Sequence, residues 1–372
     1  MRVTPVRDRA GRSDFLRLPY QLYSGDPRWA PPLLRERRRF LDPAVNPFFE
    51  FGEAELFVAY RDGRPVGRVA ALINHRHNEL HDPDVGFFGL FDVVDDEAVA
   101  RRLVEAAADW LRTRGKQAML GPTNFTVNQE CGVLVDGYDR EQSFLTPYNP
   151  RYYPAHLESA GLTKAKDFWG WHGPVPSEPP AGMCRAAQWA ARRPSVRVRT
   201  VRMRDFSAEL RTFQDIYNAA WADNWGFTPM TSRQVAYLTR QLRPVVRPQL
   251  LLVAEVDGAA AGMLLAVPDI CVALRAAEGR LTHRGLPLGL LRMRRAARRI
   301  THVRVLAGGV HPKHRRLGLD ALMYTEMMRT FYRLGYQTFE AGPTLEGNLA
   351  ITRVADRVAT RTRTYRLYCE DI

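Results

Sequence analysis

The chain has 372 residues, long enough for two domains that each bury a core, and its 45% hydrophobic and 25% charged residues exclude a disordered chain. With 54 basic against 40 acidic residues the formal charge is +14, which directs attention to polyanionic partners: nucleic acid, a membrane surface or a phosphorylated cofactor. No apolar run reaches the length of a bilayer span, and the charged start MRVTPVRDRAGRSDF lacks the apolar stretch of a secretory signal, so a cytoplasmic protein is expected.

Cys131, Cys184, Cys271 and Cys369 are too few and too scattered for a disulfide framework or a paired zinc site, and are read as free thiols. Apart from Lys116, Lys164, Lys166 and Lys313, every basic side chain is an arginine. That suits bidentate phosphate contacts, although a coding bias would give the same skew.

In chain order, Glu55–Arg61 reads as a strand, Asp62-Gly63 as a hairpin turn and Val66–Ile73 as the returning strand. Phe87–Val94 is a further strand. Glu97–Arg114 is an amphipathic helix with Val99, Leu103, Ala106, Trp110 and Leu111 on one face and Gly115 at its end, and a strand then runs into Gly121-Pro122-Thr123. The same series recurs. Leu251–Val256, Asp257-Gly258 and Ala261–Val267 repeat the hairpin, and Val303–Val310 repeats the later strand. A helix opening near Gly318 carries Leu319, Leu322, Met323, Met327, Phe331 and Leu334 inward, and another strand runs into Gly342-Pro343-Thr344. The spacing between the copies grows along the chain by roughly 25 residues, which places an insertion at Cys271–Ile300 in the second copy. The predicted organisation is therefore α/β in the α+β sense. A first domain spans 1–172, a proline-rich linker 173–196, and a second domain 197–372 with the insertion at 271–300.

The sharpest local signal is GGVHPKHRRLGLDAL, a strand running into a basic, glycine-containing turn that opens a helix. Helix N-termini present unpaired N–H groups and partial positive charge, and Gly318 lets the backbone approach an anion closely. This turn resembles the acyl-CoA-binding segment of the GNAT acyltransferase superfamily, V-x-P-x-x-[RQ]-x-x-G-x-[GA], with Val310, Pro312, Arg315 and Gly318 at matching positions. Asp320 departs from the pattern, standing where Gly or Ala is usual. The resemblance implies that Val310, Arg315, Arg316, Leu317, Gly318, Leu319, Asp320 and Ala321 bind the pyrophosphate of coenzyme A, with backbone groups doing the holding.

Five further stretches extend the resemblance over almost the whole chain: FxxLPYQLYSGDPRWAPPL, HNELHDPDVGFFGLFDV, GPTNFTVNQECGVLVDGYD, TPYNPRYYPAHLESAGLTKAKD and YNAAWADNWGFTPMT. Together they look like a bacterial tandem-GNAT family that includes or lies close to the bacterial ceramide synthases, which transfer a long acyl chain from acyl-CoA to a sphingoid-base amine. The implied fold is two tandem GNAT-like domains, each a mixed, mostly antiparallel sheet flanked by helices. The implied partners are acyl-CoA, an amine acceptor of lipid-like kind and no metal. Nucleic acid falls away as a partner, and a peripheral position on the inner face of an anionic membrane is open. Acetylation of a small soluble amine is the rival enzyme reading, and a non-catalytic nucleic-acid- or lipid-binding protein the rival of another class.

In the first copy Asp92, Asp95, Asp96 and Glu97 stand between strand and helix, where a pyrophosphate would be repelled, so that copy is expected to bind no cofactor. In GNAT proteins the strand after the cofactor helix and the turn beyond it often supply catalytic groups, which here implies Glu340, Glu346 and Asn348. Asp269, after Pro268 at the end of an apolar strand, is a further catalytic candidate or else a helix cap. Asn124, Asn128 and Glu130 form one polar cluster in the first copy and Tyr148, Asn149, Tyr152 and Tyr153 another. They read as acceptor-site residues or, for Asn124 and Asn149, as turn formers. Trp221, Asn224 and Trp225 are a substrate wall or an ordinary aromatic core. His75, His77 and His81 with Asp82 lack metal-site order, and Cys131 has no histidine beside it in sequence to activate it. In the insertion, Leu286, Leu290, Met293, Ala297 and Ile300 share a helical face with Arg292, Arg295 and Arg299 on the others, a pattern for an anionic bilayer, an acyl-chain groove or packing on the second domain.

Overall fold

The computed structural model describes residues 1–372, with the side chain of Ala350 left aside. In chain order the strands are β1 (Arg2–Pro5), β2 (Gly52–Arg61), β3 (Arg64–Asn74), β4 (Val85–Val93), β5 (Ala118–Gly121), β6 (Val133–Asp136), β7 (Thr163–Pro174), β8 (Val196–Thr200), β9 (Leu251–Val256), β10 (Ala259–Pro268), β11 (His302–Val310), β12 (Thr338–Leu345) and β13 (Thr360–Asp371). Met1–Trp169, Cys271–Ala296 and Arg363–Ile372 form unit 1; Gly170–Ile270 and Ala297–Thr362 form unit 2.

Unit 1 lines up β1-β2-β3-β4-β5 and then β13. All neighbours are antiparallel except β4 and β5. The predicted two-residue turn is present: Arg61 pairs with Arg64 across Asp62 and Gly63, whose φ values of 51° and 76° are those a tight right-twisted hairpin demands. The helix Glu97–Arg112 begins where the Asp96 carboxylate accepts from Val99 N at 3.1 Å. Its apolar stripe then closes over the sheet, with Val99, Leu103, Val104 and Leu111 buried against Val69, Ala71 and Val93. Each such side chain contributes about 1.5–3 kcal/mol by leaving water. The opposite face of the sheet is closed by Phe15, Phe40, Phe48 and Phe125.

Unit 2 repeats the plan as β8-β9-β10-β11-β12, antiparallel except for the parallel pair β11 and β12. Asp257 and Gly258 form the second tight turn, at φ 51° and 77°. The helix Leu319–Arg333 buries Leu319, Met323, Met327 and Phe331 on this sheet. Leu334, expected inward, is the C-cap residue and stays 37% exposed, because the helix ends before its turn would carry it back to the core.

Two stretches differ from their sequence reading. Within the proline-rich 173–196, residues Ala181–Ala191 form a helix packed on Leu319–Arg333, with Ala187 and Ala190 buried. Pro179 and Pro180 precede it, where a missing N–H costs no helical bond. The insertion between β10 and β11 forms two helices, Cys271–Ala277 and Leu288–Ala297, and its residues up to Ala296 belong to unit 1. Leu290, Met293, Ala297 and Ile300 are half-buried as their shared face requires, but Leu286 precedes the helix and is exposed.

Candidate active site

β11 carries the site. Its parallel pairing with β12 runs from His302 opposite Thr338 to Val305 opposite Ala341. A bulge follows at Leu306, where Leu265 faces Ala307 but Ala266 faces Val305. From Val305 to Val310 the strand is only half-buried although it lies in mid-sheet. Gly308 and Gly309 point to opposite faces, as consecutive strand residues must. A Cβ on Gly309 would lie 2.5 Å from the Trp221 ring, and one on Gly308 3.3 Å from the Tyr324 hydroxyl oxygen. Trp221 thus reaches the strand backbone itself, which no residue but glycine at 309 would allow, and the Tyr324 hydroxyl comes close to it at Gly308. Trp221 also stacks on Tyr217 with ring centroids 4.5 Å apart, as the aromatic-core reading expects.

Beyond Val310 the chain makes a short turn at Pro312–His314 and enters Leu319–Arg333 through two left-handed residues, Arg316 at φ 75° and Gly318 at φ 73°. The first-turn N–H groups of that helix have no intrahelical partners and face outward with the positive end of the dipole. Arg315 is braced at the loop's edge: its guanidinium donates to Ala220 O at 3.2 Å and lies 3.8 Å from Asp223. Leu319 is buried and Ala321 half-buried, while Arg316 and Asp320 are exposed. A Cβ on Gly318 would lie 3.2 Å from Ala190 Cβ in the neighbouring helix. The residues present fit a pyrophosphate, since backbone donors, a dipole and the exposed Lys313 and Arg316 converge at one turn. Asn224, whose N–H donates to Trp221 O at 2.8 Å, and the exposed Trp225 lie in the turn that follows Trp221.

Tyr324, which the sequence analysis does not single out, stands one turn after Asp320 with its hydroxyl near β11. Burial, then the Asp320 charge, pushes its pKa up to about 12, so it remains a proton donor at neutral pH. Its signal in the sequence was a tyrosine among Leu322, Met323 and Met327, legible only once the paired glycines of β11 are set opposite it.

The remaining candidates of unit 2 lie apart from one another. Glu340 is buried on β12 and ion-paired to the buried Arg304 at 2.8 Å, whose other nitrogen donates to Gly342 O at 2.6 Å. Asp269 is buried at the far end of β11 from the loop, 3.9 Å from His302 Nε2. His302 in turn bonds Thr338 at 2.7 Å and stacks on His172. Asn348 caps the helix Leu349–Ala355, accepting from Ile351 N at 3.4 Å, and Glu346 is half-exposed in the turn before it.

In unit 1 the matching part of β4 is covered by the chain itself. Thr123 N donates to Phe88 O at 2.7 Å, Leu90 N donates to Asn124 Oδ1 at 3.0 Å, and a Cβ on Gly89 would lie 1.7 Å from Thr123 O. Asn124 also donates to Glu130 at 3.0 Å, whose two oxygens accept from one Arg37 nitrogen at 3.1 and 3.2 Å, so this cluster braces the covering loop in which Asn128 also lies. Each carboxylate read as repelling a pyrophosphate is engaged. Asp92 takes Arg68 at 2.7 Å and Tyr23 at 2.6 Å, Asp95 lies 3.0 Å from His156 Nε2, Asp96 caps the helix and pairs with Arg61, and Glu97 pairs with Arg101 at 2.6 Å. Tyr148 donates to Asp26, and Asn149 bonds both backbone groups of Leu134. Burial pushes the Cys131 thiol up to about 12, far from a nucleophile's range. Burial, then His81, lowers His77 to about 4, which keeps it neutral. Among the described residues no group of three or more His, Cys, Asp and Glu side chains is placed to hold a metal, and no helix is long and apolar enough to cross a membrane.

No family model matches the sequence. The structure resembles the tandem GNAT protein from the clavulanic acid biosynthesis pathway, with TM-score 0.55 at 12% identity over all of this chain and 98% of that one. It also resembles a GCN5-related N-acetyltransferase from Sphaerobacter thermophilus, with TM-score 0.53 at 14% identity over 99% and 95%. Two repeated sheets, with a basic turn opening a helix in the second, define the tandem GNAT fold. By sequence the chain is 34% identical over 377 residues to the bacterial ceramide synthase of Caulobacter vibrioides, covering 98% of this chain and 96% of that protein. It is 30% identical over 361 residues to Protein YghO of Escherichia coli, covering 96% and 92%. The chain belongs to the bacterial ceramide synthase family of N-acyltransferases.

Proposed function

We propose that the chain transfers a long acyl group from acyl-CoA to the amine of a lipid-like acceptor such as a sphingoid base, and that unit 2 alone holds the cofactor. The observation that carries the cofactor assignment is the turn from Val310 to Ala321, with Arg316 and Gly318 left-handed at the mouth of a helix beside an open stretch of β11. The covered counterpart of that stretch in unit 1 supports a cofactor-free role for the first copy. The acceptor class is supported by the name of the Caulobacter relative. A peripheral position on the inner face of a membrane would give both long-chain substrates access.

Acyl-CoA, when bound, supplies an acyl group activated as a thioester. The backbone N–H groups of Arg316 to Ala321 would hold its pyrophosphate, with the Asp320 side chain turned to solvent. Val310 and the half-buried strand before it would orient the thioester arm, and Trp221 would border that arm on one face of the sheet. The Tyr324 hydroxyl would give its proton to the leaving thiolate. The attacking amine must first lose a proton, and Glu346, half-exposed in the turn beyond β12 where the resemblance places catalytic groups, is the proposed acceptor. Acetyl transfer to a small soluble amine would use the same groups without the long chain.

Gly318→Glu tests the cofactor assignment. The new side chain brings bulk and negative charge to the proposed pyrophosphate site, and calorimetric titration with coenzyme A should show binding weakened by about 100-fold or more. Unchanged affinity in a folded variant would overturn it. Gly318→Ala controls for backbone strain, about 1–2 kcal/mol for a Cβ in the left-handed region.

A further inference from the structure

We infer that the tip of the insertion, Gly279 to Ala296, is a docking surface for an anionic phospholipid bilayer. The base of this segment is fastened within unit 1. Leu34 N donates to Gly279 O at 2.9 Å, a Cβ on Gly279 would lie 2.6 Å from the Tyr20 ring, and Arg275 pairs with Glu141. The tip is a defined turn. His283 and Leu286 exchange both backbone hydrogen bonds, at 2.8 and 3.0 Å, around Arg284 at φ 48° and Gly285 at φ 82°. Behind it, Leu290 N donates to Leu281 O at 3.0 Å, and Gly289 packs where a Cβ would lie 1.8 Å from Arg280 O.

This fixed scaffold holds three leucines in water. Leu286 is 58% exposed, Leu288 38% and Leu291 56%. A chain with two well-filled cores has no packing reason to aim leucines outward from a rigid turn. Arg284, Arg292, Arg294 and Arg295 are exposed around them, and no acidic residue occurs between Gly279 and Ala296. Glu278, at the base, lies 3.8 Å from Arg292 and offsets one of these charges. Apolar side chains at the centre and arginines at the rim match the depth profile of a bilayer interface, acyl chains below and phosphates above. A second copy of the same patch would set arginine against arginine. Nucleic acid would take the arginines and leave the leucines in water.

The inference deepens the proposed lipid function by naming the surface that meets the membrane, and rests on that function only for its purpose. The test is sedimentation of the full chain with vesicles of phosphatidylcholine alone and of phosphatidylcholine with phosphatidylglycerol. Wild type should pellet with the anionic vesicles and not with the neutral ones. Joint replacement Leu286→Ser, Leu288→Ser and Leu291→Ser should weaken that binding by about tenfold or more, at high salt as well as low. Joint replacement Arg292→Gln, Arg294→Gln and Arg295→Gln should abolish the preference for phosphatidylglycerol. Absence of wild-type pelleting, or pelleting unchanged in both variants, would overturn the inference. Self-association lost in the leucine variant, or displacement of the protein from vesicles by DNA with the leucine variant unaffected, would assign the patch elsewhere and overturn it too. Vesicle binding is read without turnover, so it can persist if no lipid amine is acylated, and transfer in detergent can persist if it is lost.

Discussion

Tyr324 and Trp221 reach β11 because two consecutive residues there have no side chain, and each aromatic takes one face of the strand. The hydroxyl of Tyr324 is the polar atom that this arrangement brings to the half-buried stretch, and burial keeps it protonated. Tyr324→Phe removes the proton and leaves the ring, so packing on the helix side is retained. Kinetics with acyl-CoA varied at saturating acceptor should show kcat reduced by about 100-fold and KM for the cofactor unchanged. An unchanged kcat would deny the hydroxyl a part in the chemistry. Little of this could be read along the chain. A tyrosine in an apolar helix and a Gly-Gly in a strand are each ordinary, and their meeting depends on register and helix phase together.

Between the elements β11 and β12, Arg304 and Glu340 make a buried ion pair where the two strands run parallel, just before β12 reaches Gly342 and the pairing stops. Glu340 was a candidate base by its position after the cofactor helix. Its geometry gives it a strut's environment, because releasing it to take a proton would leave a buried guanidinium uncompensated. Glu340→Gln should therefore lower stability by about 3 kcal/mol in denaturant unfolding, while the folded fraction at low temperature keeps transfer within about tenfold of wild type. Loss of kcat with stability unaltered would restore Glu340 as the base. The elements themselves were largely legible, since the turns Asp62-Gly63 and Asp257-Gly258, the stripes of both long helices and the strands between them follow from local periodicity and turn chemistry. The helix Ala181–Ala191 was hidden by its own prolines, which lie before its first turn and read as a linker. The half-burial of Leu290 and Met293 was visible in the 3.6-residue pattern. The exposure of Leu286 was not, because it depends on the turn at Arg284 and Gly285 ending before the helix begins.

At the scale of the whole molecule, the two copies differ in what fills the space beside the bulged strand. In unit 1 the residues after β5 fold back on β4, and Asn124 binds the backbone of Leu90. In unit 2 the corresponding strand keeps a half-buried length beside a basic helix mouth. The acidic residues read as repelling an anion prove to be engaged with arginines, a histidine and a helix N-terminus, so the proposed division of roles rests on the covering loop. The insertion adds a rigid, leucine-tipped, arginine-rimmed turn that no equivalent segment between β3 and β4 provides among the described residues. On these features we propose that the second copy of this N-acyltransferase holds acyl-CoA and that its substrates come from a membrane. The most direct test is free-thiol release from palmitoyl-CoA and from acetyl-CoA, each offered with a sphingoid base and with a panel of soluble amines. The account predicts turnover with palmitoyl-CoA and the sphingoid base that exceeds every other pairing by about tenfold or more. Acetyl transfer to a soluble amine, with none to the long-chain base, would contradict it.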